Sequence, residues 1–314
     1  MGSPSSEPVA ERVRSTCEWV AGRARFVHIE RDAVGEYALG LQAAGVGAPL
    51  DPETHLVEGD RESRAAFVLC LDAINFGSGW WPTIRKRAGH SGYFTVAAGL
   101  TERFRDDGAW STKELTELSP EHLASVLDQD PEHPLMSQYA ASLRDVGEHV
   151  LAEHDGHFAT LIDAARGSAV TLAEMLARWK AFADVSTYED RPVPFFKRAQ
   201  LAAADIARVG LAELRETQRL TAFADNVLPH VLRLDGILRL DPTLEKTIDG
   251  GQLLTHGSPP EVELRACAIH TVELLSQAID GRLYPAQIDE ALWNRGRESR
   301  YKAVRRPRSR NTAY

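Results

Sequence analysis

The stretch Glu261-Val262-Glu263-Leu264-Arg265-Ala266-Cys267-Ala268-Ile269-His270-Thr271-Val272-Glu273-Leu274-Leu275-Ser276-Gln277-Ala278-Ile279 has the most regular pattern in the chain. Val262, Leu264, Cys267, Ala268, Thr271, Leu275 and Ile279 recur at helical spacing, which predicts a helix over 261–279 with these residues inward. Gly257, Pro259 and Pro260 mark the loop before it. The rest of the chain repeats this grammar. Val9, Val13, Cys17, Val20 and Ala24 make one apolar stripe over 7–26, and Val96, Leu100 and Phe104 make another over 93–107. A helix over 61–75 carries Ala65, Val68, Leu69, Asp72 and Phe76 on one side. A long helical stretch is expected over 135–166, with shorter ones over 171–182 and 241–249 and a last one opened by Pro285. Ser111 and Ser119 each precede an early acid, as helix starts do. Segments 42–60, 128–134 and 184–194 read as loops. No apolar alternation is bounded by turns, and no period of about 20–50 residues recurs. The expected fold is all-α, a single compact domain over 1–314 with flexible ends at 1–6 and 300–314.

Composition narrows the class. Of 314 residues, 43% are hydrophobic and 26% charged, ordinary values for a globular chain. No run of about 18 apolar residues exists, and the first residues lack the basic start and apolar core of a signal peptide, so the reading is cytoplasmic with no membrane contact. Cys17, Cys70 and Cys267 are far apart and read as small buried hydrophobes. The formal charge of −9 argues against a general polyanion binder, since such affinity is built from Lys and Arg on phosphates. One region runs the other way. Over 295–310, Arg295, Arg297, Arg300, Lys302, Arg305, Arg306, Arg308 and Arg310 face the single acid Glu298. Such an end can be a solvated arm, a nucleic-acid contact or a lid over a phosphate.

Several positions carry chemistry. Arg219-Leu220-Thr221-Ala222-Phe223-Ala224-Asp225-Asn226-Val227-Leu228-Pro229 sets a ring and a carboxylate two residues apart in an otherwise apolar segment. Asp225 there either caps the helix that follows or serves a reaction that develops positive charge. His28, between Val27 and Ile29 at a helix junction, is either a core group or a ligand contact. Gly77 and Gly79 beside Trp80 and Trp81 suggest a turn that backbone can approach closely, as a tight connection or as a binding loop. It is not a P-loop, since no Lys-Ser/Thr follows. Glu148, His149, Glu153, His154, Asp155 and His157 do not reproduce a metal-binding spacing and read as a polar face. Lys197 and Arg198 follow Pro194 in a first turn, where the helix dipole disfavours cations, so they point to an anion or to a surface pair. Asp289 and Trp293, four apart, share a helix face suited to a planar heterocycle with N–H donors, or to a cap and a core residue.

Three separated blocks together resemble one family. They are Phe26-Val27-His28-Ile29; Asn75-Phe76 followed by the tryptophan pair; and Phe196-Lys197-Arg198-Ala199-Gln200 followed by Phe223-Ala224-Asp225 and Ile288-Asp289-x-x-Leu292-Trp293. Their order and spacing are similar to those of the queuosine salvage family, the queuosine 5′-phosphate N-glycosidase/hydrolases, over nearly the whole chain. The resemblance implies an all-helical protein akin to helix-hairpin-helix DNA glycosylases. It implies an enzyme that hydrolyses queuosine 5′-monophosphate to queuine and ribose 5-phosphate, with no metal and no cofactor. By matching position, Asp225 becomes the catalytic carboxylate. His28, Phe223, Asp289, Trp293 and Asn294 become base-pocket residues, Asn294 standing where the family carries an acid. Lys197 and Arg198 match the family's Lys-Arg pair and are assigned by charge to the 5′-phosphate; Asn75 and Phe76 fall at the pocket. The expected partner is the small-molecule substrate, with no stable nucleic acid. Two other classes stay open: a nucleic-acid base glycosylase, and a non-catalytic helical protein that binds queuine or a nucleotide.

Overall fold

The computed structural model describes residues 7–41, 46–47 and 50–314. Residues 1–6, expected as a flexible end, lie outside these, as do 42–45 and 48–49 of the loop expected over 42–60. Among the described residues the order is α1 (Val9–Ala21), β1 (Val27–Ile29), α2 (Arg31–Leu41), α3 (Arg61–Ala73), α4 (Gly92–Asp106), α5 (Thr112–Thr116), α6 (Pro120–Val126), α7 (Pro134–Glu153), α8 (Phe158–Ala164) and α9 (Ala169–Leu176). Then come β2 (Val185–Tyr188), β3 (Arg191–Pro194), α10 (Lys197–Arg208), α11 (Leu228–Leu234), β4 (Leu238–Leu240), α12 (Pro242–Asp249), α13 (Pro259–Ala278), α14 (Pro285–Arg295) and α15 (Ser299–Lys302). The fold is all-α, with two minor sheets.

Helix α13 is the axis of one half, where it packs against α1, α2, α11 and α14. The inward set read from its sequence is buried, and so are Glu261, Glu263 and Arg265, which that set leaves on other faces. A helix buried on every side must find partners for its polar groups. Glu263 Oε2 accepts from the backbone N–H groups of Arg25, Phe26 and Val27, and its Oε1 accepts from the Tyr188 hydroxyl. Glu261 Oε1 accepts from the Tyr314 hydroxyl. Helix α7 organises the other half with α3, α5 and α6, and α3 and α10 pack together between the two. Local signals held where they were strong: Ser111 forms a full capping box, Ser119 caps α6, and Pro285 opens α14.

Four local features differ from the sequence expectation. The stretch over 135–166 breaks into α7 and α8, because Asp155 and Gly156 take positive φ (55° and 76°), a left-handed conformation that ends a helix. The stretch over 171–182 is α9 followed by a short 3₁₀ turn, Lys180–Phe182. Two antiparallel pairs form, β1 with β4 and β2 with β3, each strand too short to display a periodicity that sequence can register. Finally, the basic end, expected to be flexible over 300–314, is docked. Tyr301, Ser309, Asn311, Ala313 and Tyr314 are buried, Leu254 N donates to Arg308 O, and Gly77 N donates to Tyr314 O.

The turn expected after Asn75 is close-packed against that end. A Cβ on Gly79 would lie 2.5 Å from Ser309 O, so only glycine lets the two backbones meet. What approaches this loop closely is the chain's own C-terminal segment.

Candidate active site

The segment 221–224 is buried, yet it belongs to no helix or sheet. Its backbone groups need side-chain partners instead. Gln200 of α10 supplies the first, accepting from Thr221 N at 3.0 Å. Asp289 of α14 accepts from Phe223 N at 2.8 Å, and Arg265 of α13 donates through Nε to Ala224 O at 3.0 Å. Three helices thus grip one strip of chain. Beyond it, Asp225 Oδ1 accepts from Val227 N at 2.6 Å, a tight turn just ahead of α11. The capping reading of Asp225 does not hold: the N-cap of α11 is Val227, which has no side-chain cap, and Asp225 Oδ1 stabilises only the turn before it. The residue itself is only half-buried, alone among 221–228 in this respect.

Arg265 is held in turn by a bidentate pair with Asp184, at 2.9 and 2.6 Å, both side chains at most 2% exposed. Its guanidinium lies between the rings of Phe195 and Tyr314, 3.9 and 4.6 Å from their centroids. The same Asp184 carboxylate accepts from Lys197 N at 3.2 Å, and its carbonyl accepts from Phe195 N. Phe196 sits at φ 47°, a conformation a bulky residue rarely adopts, and this turn starts α10 at Lys197 rather than at Pro194.

Lys197 is buried, with Nζ donating to Asn75 O at 3.0 Å. Its charge acts on Asp225, Asp72 and Asp289, and burial pulls its ammonium below the usual lysine range. Burial pushes the Asp289 carboxyl up to about 8, and the charge of Asp225 adds to that shift. Asp72 is raised well above its ordinary value by burial and by Asp205, and its Oδ2 has no hydrogen-bond partner. Asp205 is raised to about 6, first by burial. Burial thus biases two of the acids around Lys197, Asp72 and Asp289, toward the neutral form.

An aromatic group adjoins them. Trp293, half-buried on α14, meets Tyr93 and Phe94 edge-on at 6.0 and 5.8 Å. Tyr93 in turn feels the charges of Asp72 and Asp205, which with burial raise its hydroxyl's pKa.

The structure joins Phe223, Asp225, Asp289 and Lys197 in one cluster, with Asn75 reached through its carbonyl. It separates others. Arg198 is fully buried, its Nη1 donating to Ala73 O and its Nη2 to Thr312 O at 2.5 Å, so it ties α3 to the C-terminal segment and offers nothing to a phosphate. Lys197 is also turned inward, to the Asn75 carbonyl. Phe76 is core, packed on Tyr139 at 4.9 Å beneath the Arg198 guanidinium at 4.8 Å. His28 lies in β1 opposite Arg239, and among the described residues it has no hydrogen bond, ion pair or ring contact with the cluster. Asn294 accepts through its carbonyl from Arg297 N. Asp184, Arg265 and Gln200 escaped the sequence reading as site-forming groups. Only Gln200 lay in a recognised block; the Arg265 and Asp184 pair spans 81 residues.

Chemically, a fixed carboxylate beside buried acids and aromatic rings is suited to glycosyl-bond hydrolysis, in which a group linked to a heterocycle becomes cationic. A family described as queuosine salvage protein matches residues 54–314, and the chain belongs to that family. A relative from Sphaerobacter thermophilus, described as a queuosine 5′-phosphate N-glycosylase/hydrolase, is 35% identical over 90% of this chain and 92% of its own. Relatives with the same description from Mus musculus and Dictyostelium discoideum are each 26% identical, covering 96% and 90% of this chain and 95% and 92% of theirs. No described helix is long and apolar enough to cross a membrane.

Proposed function

We propose that this chain acts in the cytosol as an N-glycosidase that hydrolyses queuosine 5′-monophosphate to queuine and ribose 5-phosphate. The observation that carries the reading is Asp225: a half-open carboxylate, fixed by Val227 N, beside acids that burial biases toward neutrality.

As the bond between the base and C1′ breaks, its electron pair leaves with the base and positive charge builds on the ribose. A carboxylate already in place favours that charge more than the neutral ground state, which lowers the barrier. Water adds its oxygen to C1′, and one of its protons ends on the departing base. A 7-deazaguanine has carbon where guanine has N7, so that usual protonation site is closed. The base must be stabilised through its other edges. Asp289, whose carboxyl burial pushes up to about 8, is the donor assigned to this task, held in place by Phe223 N. Trp293 and Phe223 supply rings for the base to lie against.

The basic end, the feature that favoured a polymer substrate, is folded onto the protein and presents no free arm. Incubation with queuosine 5′-monophosphate and detection of the free base by mass tests the proposal. Asp225→Asn is expected to lower kcat by about 10²–10³-fold or more, the cost of losing one transition-state charge contact. Turnover unchanged in Asp225→Asn, with a native circular-dichroism spectrum, ends the assignment.

A further inference from the structure

With Arg198 tied to the carbonyls of Ala73 and Thr312 and Lys197 to that of Asn75, both buried cations already have protein acceptors. The docked C-terminal segment brings another. Arg306, half-buried, donates through Nη2 to Gly296 O at 2.5 Å. Gly296 lies directly against Val227, whose Cγ1 is 2.5 Å from where a glycine Cβ would stand, and Val227 N is the donor to Asp225 Oδ1. Arg306 is thus two contacts from Asp225, and the two charges act on each other.

Its surroundings call for an anion. Arg308 is close enough to repel Arg306, and Arg305 repels Arg308. Among the described residues, none of these three has a carboxylate within ion-pair distance: Arg305 meets the Asp249 carbonyl, and Arg306 the Gly296 carbonyl. The remaining N–H groups of Arg306 have no protein acceptor there. Guanidinium stays charged at any relevant pH, and the charge of Asp225 acts on Arg306 more strongly than that of Arg308, so an anion held beside Asp225 meets a charged donor. A ribose whose C1′ lies at Asp225 carries its phosphate on the opposite side of the ring, one sugar away from the carboxylate.

Resting on the substrate reading above, we infer that Arg306 receives the 5′-phosphate of the substrate and sets the preference for the nucleotide over the nucleoside. A planar fork of N–H donors suits a phosphate, and Arg305 and Arg308 add field without needing contact.

The test compares kcat/KM for queuosine 5′-monophosphate and for queuosine in the wild type, Arg306→Gln and Arg306→Lys. Arg306→Lys keeps the charge, whereas Arg306→Gln removes it and shortens the side chain. It is expected to lose about 10- to 100-fold more on the nucleotide than on the nucleoside, as a charge-assisted contact does, and Arg306→Lys to retain most of the preference. Inorganic phosphate, as a probe, is expected to compete with the nucleotide in the wild type and to lose potency in Arg306→Gln. Equal losses on both substrates, no loss on either, or unaltered phosphate inhibition overturns the inference. A wild-type protein that releases base from neither substrate overturns the proposed function instead, so the two failures are distinct.

Discussion

Asp184→Ala removes one partner of the buried pair that holds the strip 221–224. The Asp184 carboxylate accepts from Arg265 Nη1, Arg265 Nη2 and Lys197 N, at 2.9, 2.6 and 3.2 Å, and Arg265 is 1% exposed. Truncation leaves a buried guanidinium with no carboxylate in contact. Breaking such a pair costs about 3–5 kcal/mol. Unfolding entropy of about 2 cal/mol/K per residue over 314 residues turns this into a Tm lower by about 5–8 °C. The rings of Phe195 and Tyr314 still cover Arg265, which favours the lower end of that range. Thermal unfolding followed by circular dichroism reads the shift. A second variant separates charge from packing. Asp184→Leu with Arg265→Met removes both charges and is expected to be more stable than Asp184→Ala. Its base release stays low, because the hydrogen bond from Arg265 Nε to Ala224 O, one residue before Asp225, is gone. A Tm of Asp184→Ala within 1–2 °C of wild type, about 1 kcal/mol, or a double variant less stable than the single, refutes the reasoning.

Two further outcomes follow from the same geometry. Asp289 binds its proton far more tightly when folded, with its pKa raised from 3.8 to about 8. That contribution to stability is complete below pH 4 and is lost as pH rises through about 8, because in this window only the folded state holds the proton. Asp289→Asn removes the dependence, so the difference in Tm between wild type and variant is expected to shift against the wild type from pH 4 to 8; a parallel pair of curves contradicts it. Gly79→Ala places a methyl 2.5 Å from Ser309 O and is expected to cost about 1–3 kcal/mol, raising proteolysis of the C-terminal segment. Unaltered stability and proteolysis dissociate that segment from the loop.

Much of the scaffold was legible because helices write their contacts at fixed short intervals. The stripes at Val9, Val13 and Cys17 and at Val262, Leu264 and Cys267 are buried as their spacing requires. Caps such as Ser111 depend on residues three apart, which sequence displays directly. The blocks around Lys197, Phe223 to Asp225 and Asp289 to Trp293 marked the region of the site. Their orientation was not legible. A Lys-Arg pair in a first turn reads the same whether its guanidinium meets a phosphate or the carbonyls of Ala73 and Thr312. A run of arginines reads the same as a free arm or as a docked segment whose alternate residues are buried.

Sequence by itself determined the helical class, most helix starts and the family to which the motifs point, since each rests on neighbours within a turn or on local order. Tertiary structure alone decided that Asp184 clamps Arg265, that Asp289 reaches Phe223 N across 66 residues, and that Arg306 comes to lie near Asp225. The physical reason is that burial and electrostatic coupling depend on distance through space, and partners so far apart along the chain leave no period or spacing between them.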